Sequence, residues 1–349
     1  MPTETLKPAL DADRTPENLG EYPNSYTVEF TEGRVTYSLY GDPNSAHNPI
    51  IVVNDMVQGR KSNKELAALL SADGRQVLIY EDPEYIESIS AKDKRNTIKA
   101  VDFQAEAVLA AAKDAGLLDT DRSVNMIGHS LGGLIAQRIR QIAQRDRIAA
   151  LDPEKDSQLA LIASSGNIRQ ESYRGLTGRW LGYMMKGLIE AKALDPKGVK
   201  RGTLITNALK QRNKAIGEIR AVKDEELHYN GLGEALHLVY PEDKMFPWRR
   251  TRPTVQRHIE NGRPIAVATP IDYGQPALKG LELWLTKAHL KGRKARLNFA
   301  LSYRGAGHDE PTSNPERTAK ALIDYFDDGR VLHRARAGHK KHYPQYAKT

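Results

Sequence analysis

The stretch NMIGHSLGGL, residues 125–134, decides the fold prediction for this chain. A short apolar run leads into it, Ser130 stands between Gly128 and Gly132, and a helical pattern follows at once. The spacing fits Gly-x-Ser-x-Gly, in which a sharp strand-to-helix turn exposes a serine hydroxyl. The alternative is that Ser130 is only a small residue in a tight turn. The surroundings of the motif decide between these interpretations.

Strand and helix patterns alternate on both sides of this motif. Residues 26–41 predict a β-hairpin, and the continuous apolar run PIIVV (49–53) predicts a strand buried on both faces. After Ser130, apolar residues recur at helical spacing, and SQLALIASS (157–165) predicts the next strand. Such alternation is typical of a mostly parallel central sheet flanked by helices, so we predict an α/β fold.

The alternation is interrupted once. Residues 167–232 predict helices only, and strands resume with EALHLVY (234–240) and ARLNFALSY (295–303). A last helix is predicted with Asn314 as its N-cap and Pro315 at its first position. The helical block is therefore predicted to be a cap inserted into the α/β core.

Composition sets outer limits on the function. The chain has 349 residues and is 40% hydrophobic, which suffices for a sizeable core. It has no cysteine, which excludes disulfides, a thiol nucleophile and thiolate metal sites. No apolar run is long enough for a transmembrane helix, and the polar N-terminal stretch lacks a signal-peptide core, so we expect a cytoplasmic protein without a membrane span.

The charge is unevenly distributed along the chain. The C-terminal tail contributes +5 of the formal net charge of +8, and a solvated tail explains this better than a nucleic-acid partner. The predicted organisation has these parts: a flexible N-terminal arm (1–25), the α/β core (26–166 and 233–330), the helical cap (167–232) and the basic tail (331–349).

A nucleophilic serine needs a histidine as its base and an acidic residue that orients the histidine. On a strand-to-helix turn of this type, the expected order along the chain is serine, acid, histidine. His308 lies in a glycine-containing loop after a predicted strand and before the last helix. Asp243 follows the strand 234–240 directly, with Glu242 beside it as a second choice. Asp272 competes with Asp243, because it also follows a strand-like stretch, RPIAVATPIDYG. We favour Asp243.

The whole pattern resembles the α/β-hydrolase superfamily. The stretches that carry the resemblance are GRVTYSLYGDP (33–43), GHSLGG (128–133), PEDKMFP (241–247) and GAGH (305–308). The resemblance implies a catalytic triad of Ser130, Asp243 and His308, with the inserted helices acting as a lid over the active site. It also implies backbone N–H groups of Met56 and Leu131 as the oxyanion hole, and no metal or organic cofactor.

The chain departs from the family pattern at two loops. Relatives usually carry His-Gly after the third strand, where this chain has Asn54 and Asp55 within VVNDM. A carboxylate there would repel an oxyanion unless it turns away. The second departure is YEDPEYIES (80–88), where relatives often have a glycine-rich loop. The distance from Asp243 to His308 is also longer than usual, which implies an insertion around 248–290.

The function expected from this pattern is a serine hydrolase that cleaves a carboxylic ester, lactone or thioester through an acyl-enzyme. Trp180, Met184 and Met185 form part of an apolar helical stripe in the cap. The stripe packs on the core or, in part, lines a cavity for the apolar portion of a small substrate. Two other classes stay open: an acyltransferase on the same scaffold, and a non-catalytic ligand-binding protein that retains the fold.

Overall fold

The computed structural model describes residues 25–31, 33–54, 59–81, 83–85, 97–163, 178, 235–238, 243, 265–268, 310–313 and 315–327. The strands within this part of the chain are β1 Ser25–Phe30, β2 Gly33–Tyr40, β3 Ile50–Val53, β4 Val77–Tyr80, β5 Glu84–Tyr85, β6 Asn125–His129, β7 Leu159–Ile162, β8 Ala235–Leu238 and β9 Ile265–Ala268. The α-helices are α1 Gly59–Ala72, α2 Thr97–Asp114, α3 Gly132–Asp146, α4 Glu310–Ser313 and α5 Pro315–Phe326. Two short 3-10 helices, Ala149–Leu151 and Pro153–Lys155, precede β7.

All described strands belong to one sheet with the order β1-β2-β4-β3-β6-β7-β8-β9, and β5 pairs with β2. The predicted hairpin is confirmed, because β1 and β2 pair antiparallel with Tyr26 opposite Tyr37. β2 also pairs antiparallel with β4 and β5. From β4 to β9 every neighbouring pair is parallel. The mostly parallel sheet predicted from the alternating pattern is therefore present.

The strand order contains a point where the chain changes direction. From β3 the chain continues to β4 on one side, whereas from β6 it continues to β7 on the other side. A crevice forms at the carboxyl ends of the strands at such a switch point, and ligands bind there in open α/β sheets. Asn54 follows β3 and Ser130 follows β6, so these two residues stand at the switch point.

The core lies on both faces of the sheet because the central strands are apolar at every position. In β3, Ile51 and Val53 belong to a cluster with α2 and α3, whereas Ile50 and Val52 belong to a cluster with α1 and α5. All four side chains are fully buried. Full burial contributes about 1.5–3 kcal/mol for each such side chain, so β3 is held firmly from both sides.

Helix α5 is tied to the end of α1 by a buried arginine. The Arg75 guanidinium forms ion pairs with Asp73, at 3.1 Å, and with Asp327, the residue after α5. It also lies over the ring of Phe326, 5.9 Å from the ring centroid. These contacts fix the last described helix against the sheet.

The boundaries of several predicted segments can be compared with the structure. β1 begins at Ser25, one residue before the predicted core, and α5 begins at Pro315 as predicted. β9 lies inside the stretch 248–290 that the long spacing marked as an insertion, so part of that stretch belongs to the sheet. The predicted strand 295–303, Asn314 and, apart from Gly178, the predicted cap lie outside the described residues. Within the described part of the chain, no helix is long and apolar enough to cross a membrane.

Candidate active site

Ser130 occupies a strained turn between β6 and α3. Its φ is +56°, a left-handed conformation that is uncommon for a residue with a Cβ. The residue is buried, and its N–H donates to the carbonyl oxygen of Ile162 at the end of β7, at 2.9 Å. Such a conformation costs on the order of 1–3 kcal/mol and persists only where the surrounding structure imposes it. Strain of this kind concentrates at functional sites.

The two glycines of the motif are required by close packing. A Cβ on Gly128 would lie 2.6 Å from the carbonyl oxygen of Gly132 and from the Cα of Gly133. A Cβ on Gly132 would lie 2.5 Å from the carbonyl oxygen of Asn54 and would also collide with that of Val53. The first turn of α3 therefore packs directly on β6 and on the end of β3. This packing imposes the turn at Ser130.

The amino end of α3 begins beside Ser130. Leu131 is the N-cap residue, and its side chain is buried in the core. The first N–H groups of a helix have no acceptor within the helix, and the helix dipole places partial positive charge there. The N–H of Leu131 therefore belongs to the partially positive amino end of the helix that begins beside Ser130.

A series of backbone hydrogen bonds connects the serine turn with the strand that precedes Asp243. Ala163, the residue after β7, donates its N–H to the carbonyl oxygen of Leu238 at the end of β8, at 2.9 Å. Ala163 is also a buried non-glycine residue with a positive φ, +44°. Asp243 follows β8 and is only 3% exposed. The structure therefore places a buried carboxyl group after the second strand from Ser130 in the sheet.

At the same edge of the sheet, the side chain of Asn54 makes contacts that the sequence did not predict. Its side chain is buried, its Nδ2 donates to the carbonyl oxygen of Tyr80, and its Oδ1 accepts from Nδ2 of Asn63 at 2.6 Å. Asn63 lies in α1 and is equally buried. The only sequence signal was that Asn54 replaces the usual histidine. Its partners follow from the strand order, which no local pattern gives.

The other predicted site residues lie outside the described part of the chain. They are His308, Met56, Asp272, Glu242, Trp180, Met184 and Met185, and the same holds for Asp55. Ser130, Leu131 and Asp243 are therefore the members of the predicted site that the structure describes. Within the described residues, no three His, Asp or Glu side chains are grouped closely enough to hold a metal ion.

Comparison with known proteins bears on the fold. No family model and no curated protein matches this sequence. Among solved structures, bromoperoxidase from Bacillus anthracis superposes with a TM-score of 0.51 at 10% identity, covering 87% of this chain and 100% of its own. The enol-lactonase from Burkholderia xenovorans LB400 gives a TM-score of 0.50 at 15% identity, covering 85% and 97%. The meta-cleavage product hydrolase from Pseudomonas fluorescens IP01 gives 0.51 at 13%, covering 85% and 95%.

These solved structures are α/β-hydrolase fold enzymes, and they cover most of this chain. The chain has the α/β-hydrolase fold. The resemblance stated from GHSLGG and its companion stretches is thereby confirmed for the fold. An α/β-hydrolase fold carries many activities, so the activity has to be argued from the site itself.

Proposed function

We propose that this α/β-hydrolase fold protein is a serine hydrolase that cleaves a carboxylic ester, lactone or thioester with Ser130 as its nucleophile. The observation that carries the proposal is the left-handed conformation of Ser130 at the carboxyl edge of the sheet. Ligands of open α/β sheets bind at the carboxyl edge beside such a switch point, which supports the proposal, and the turn is held by close glycine contacts. Strained backbone conformations concentrate at functional sites, and the serine hydroxyl gives this one a candidate nucleophile.

In the proposed mechanism His308 takes the proton of the Ser130 hydroxyl as its oxygen attacks the carbonyl carbon. The tetrahedral intermediate collapses, and the same histidine gives its proton to the leaving alcohol or thiol. Water, deprotonated by His308, then attacks the acyl-enzyme, and collapse of the second intermediate releases the acid and restores Ser130. The N–H groups of Leu131 and Met56 stabilise the oxyanion in both steps.

Asp243 is the proposed acid that orients His308 and stabilises its positive charge. A carboxyl group is rarely buried in a protein without a partner, and Asp243 is buried. It follows β8, whose last residue accepts a hydrogen bond from Ala163. Asp272 is the alternative, because it follows β9, the neighbouring parallel strand. Replacing each aspartate in turn by asparagine decides which of the two is the acid.

The proposed substrate is a small molecule with an apolar portion that contacts Trp180, Met184 and Met185 in the cap 167–232. An enol-lactonase and a meta-cleavage product hydrolase are among the proteins with a similar fold, which supports chemistry at a carbonyl carbon. The flexible thioether side chains of two methionines suit apolar groups of varied shape.

The test is turnover of a panel of aryl esters of increasing acyl length, lactones and thioesters. We expect hydrolysis of at least one class, and a loss of about 10⁴-fold or more in kcat/KM for Ser130→Ala. Ser157→Ala is the matched control, since Ser157 is a buried serine two residues before β7, at the opposite edge of the sheet. The proposal fails if no class is hydrolysed, or if Ser130→Ala and Ser157→Ala have the same activity.

A further inference from the structure

Strand β1 forms one edge of the described sheet. Among the described strands it pairs with β2 alone, in a regular register from Ser25 to Phe30 that contains no bulge. The strand contains neither proline nor lysine, two residues that discourage pairing at the edges of natural sheets. Within the described part of the chain, this edge therefore has the features that allow a further strand to pair with it.

The backbone groups of Thr27 in β1 point away from β2. Thr36 lies opposite Thr27, and its carbonyl oxygen accepts from the Glu81 N–H at 2.8 Å, so Thr36 directs its backbone groups towards β4. Thr27 and Thr36 therefore form a non-hydrogen-bonded pair, in which side chains approach closely, and their hydroxyl oxygens are 3.0 Å apart. Because backbone groups alternate in direction along a strand, Glu29 also points its N–H and carbonyl groups outward.

The apolar side chains of β1 all lie on one face of the sheet. Tyr26, Val28 and Phe30 are half-buried and pack against the core on the face that α2 covers, where the Phe103 ring lies 5.1 Å from that of Phe30. The alternate residues of the strand are exposed on the other face. A strand added at this edge would therefore extend the apolar face and leave the polar face in water.

We propose that β1 is a dimerisation edge, which pairs antiparallel with β1 of a second copy of this chain about a two-fold axis at Val28. In this register each Thr27 pairs with Glu29 of the other copy, and the two residues exchange both of their N–H···O=C hydrogen bonds. Val28 faces its own counterpart, and Tyr26 faces Phe30, so that an aromatic pair forms on each side of the axis. Glu29 faces a threonine, so no like charges oppose each other.

The self-complementary register favours a second copy over an unrelated strand. A two-fold axis perpendicular to the sheet keeps the half-buried side chains of both copies on one face, and the contact closes at two subunits. An axis at Thr27 would instead place Tyr26 opposite Val28 and form no aromatic pair. A strand of six residues makes a small contact, so we expect a reversible dimer with Kd on the order of 10 µM. The inference does not rest on the proposed function.

Sedimentation velocity of the full chain tests the dimer, with Thr27→Pro as the disrupting variant. Proline removes the outward N–H of Thr27, which makes no bond to β2, so the edge strand tolerates it. Thr27→Ala is the matched control, because it also loses the hydroxyl contact with Thr36 but keeps the N–H. We expect wild type and Thr27→Ala to be mostly dimeric at about 100 µM and monomeric at about 1 µM, and Thr27→Pro to have a Kd at least about tenfold higher. A monomeric wild type at about 100 µM, or equal Kd values for the two variants, overturns the proposal.

A cross-link locates the contact and does not depend on the folding of the proline variant. The chain has no cysteine, so Val28→Cys introduces one thiol and any disulfide joins two copies. In the proposed register the two Cα atoms at this position are about 4.5 Å apart, within the range of disulfides. We expect oxidation with copper phenanthroline to give a covalent dimer at least about tenfold faster than for Thr31→Cys, at an exposed residue just beyond β1. Equal rates, no covalent dimer from Val28→Cys, or a faster cross-link from Thr27→Cys would each overturn the proposal.

Discussion

The two ends of the parallel strands differ: side chains at the amino end pair with backbone carbonyl groups, whereas the carboxyl end contains residues in a left-handed backbone conformation. At the amino end, Arg140 of α3 donates to the carbonyl oxygens of Leu151 and Ser157 at 2.6 and 2.7 Å, and the Ser157 hydroxyl donates to that of Val124. These contacts satisfy backbone groups in the loops that enter β6 and β7. At the carboxyl end, two buried non-glycine residues, Ser130 and Ala163, have a positive φ.

Positive φ at other described non-glycine residues has an ordinary explanation. Arg147 is the left-handed C-cap of α3, and Asp156 lies in an exposed turn, where aspartate tolerates this conformation. Ser130 and Ala163 end no helix and are buried. The difference indicates that the amino end of the sheet serves stability, whereas the carboxyl end retains strain at the site where catalysis is proposed.

The largest expected effect concerns Asp243 at the carboxyl end. We expect Asp243→Asn to lower kcat/KM about 10⁴-fold, because an amide no longer stabilises the charged imidazole or its correct tautomer. Asp152→Asn changes an aspartate at the amino end and should keep kcat/KM within about twofold. Steady-state hydrolysis of the best substrate measures both.

Asp272→Asn decides between the two candidate acids in the same assay. If Asp272→Asn causes the large loss and Asp243→Asn does not, the assignment of Asp243 is wrong and the acid follows β9. The carboxyl edge would still be the proposed location of the active site in that case, because β8 and β9 both end there.

The next effect concerns stability at the amino end. Burial lowers the pKa of Arg140 to about 10, so its guanidinium still carries a charge at neutral pH. Arg140→Met removes the donors to two buried carbonyl oxygens and should lower the free energy of unfolding by about 2–4 kcal/mol, while kcat of the folded protein is retained. Arg145→Met on the exposed face of α3 should have no measurable effect in the same urea titration. A large loss of kcat in folded Arg140→Met would refute the division between the two ends.

A smaller effect concerns a polar contact on the antiparallel side of the sheet. Burial of Tyr37 and, next, its hydrogen bond to Asp114, at 2.7 Å, raise the pKa of the tyrosine hydroxyl above its usual range. A raised pKa in the folded state contributes stability below the unfolded-state pKa, near 10, and that contribution is lost as pH rises further.

Comparison with Tyr37→Phe isolates this contribution. Between pH 9 and pH 11, the free energy of unfolding of wild type should fall by on the order of 1 kcal/mol relative to the variant, because the unfolded chain ionises first. Urea unfolding at the two pH values measures the difference. A constant difference would mean that Tyr37 titrates normally in the folded protein.

The smallest expected effect concerns the strain at Ala163. Ala163→Gly should raise the free energy of unfolding by about 0.5–1 kcal/mol, because glycine adopts a positive φ without a steric penalty. Ala160→Gly, within the strand β7 that precedes Ala163, has no strain to relieve and should lower the free energy of unfolding by about the same amount or more. Two changes of the same sign would show that Ala163 is not strained.

The sequence predicted those features that depend on neighbouring residues. The apolar run of β3, the period of α3 and the strand-to-helix turn at Ser130 are local patterns, and the structure contains all of them. The contacts of Asn54 with Asn63 and Tyr80 depend on which strands lie side by side, and β4 is the neighbour of β3 only through long-range pairing. No local pattern encodes that choice, so these contacts could not be predicted.

The central claim is that the strain at the carboxyl end serves a nucleophilic Ser130. Treatment with a fluorophosphonate, followed by peptide mass spectrometry, tests it most directly. The expected result is one adduct per chain, located on Ser130, absent in Ser130→Ala and retained in Ser157→Ala. Absence of an adduct from folded wild-type protein, or an adduct that persists in Ser130→Ala, would contradict the claim.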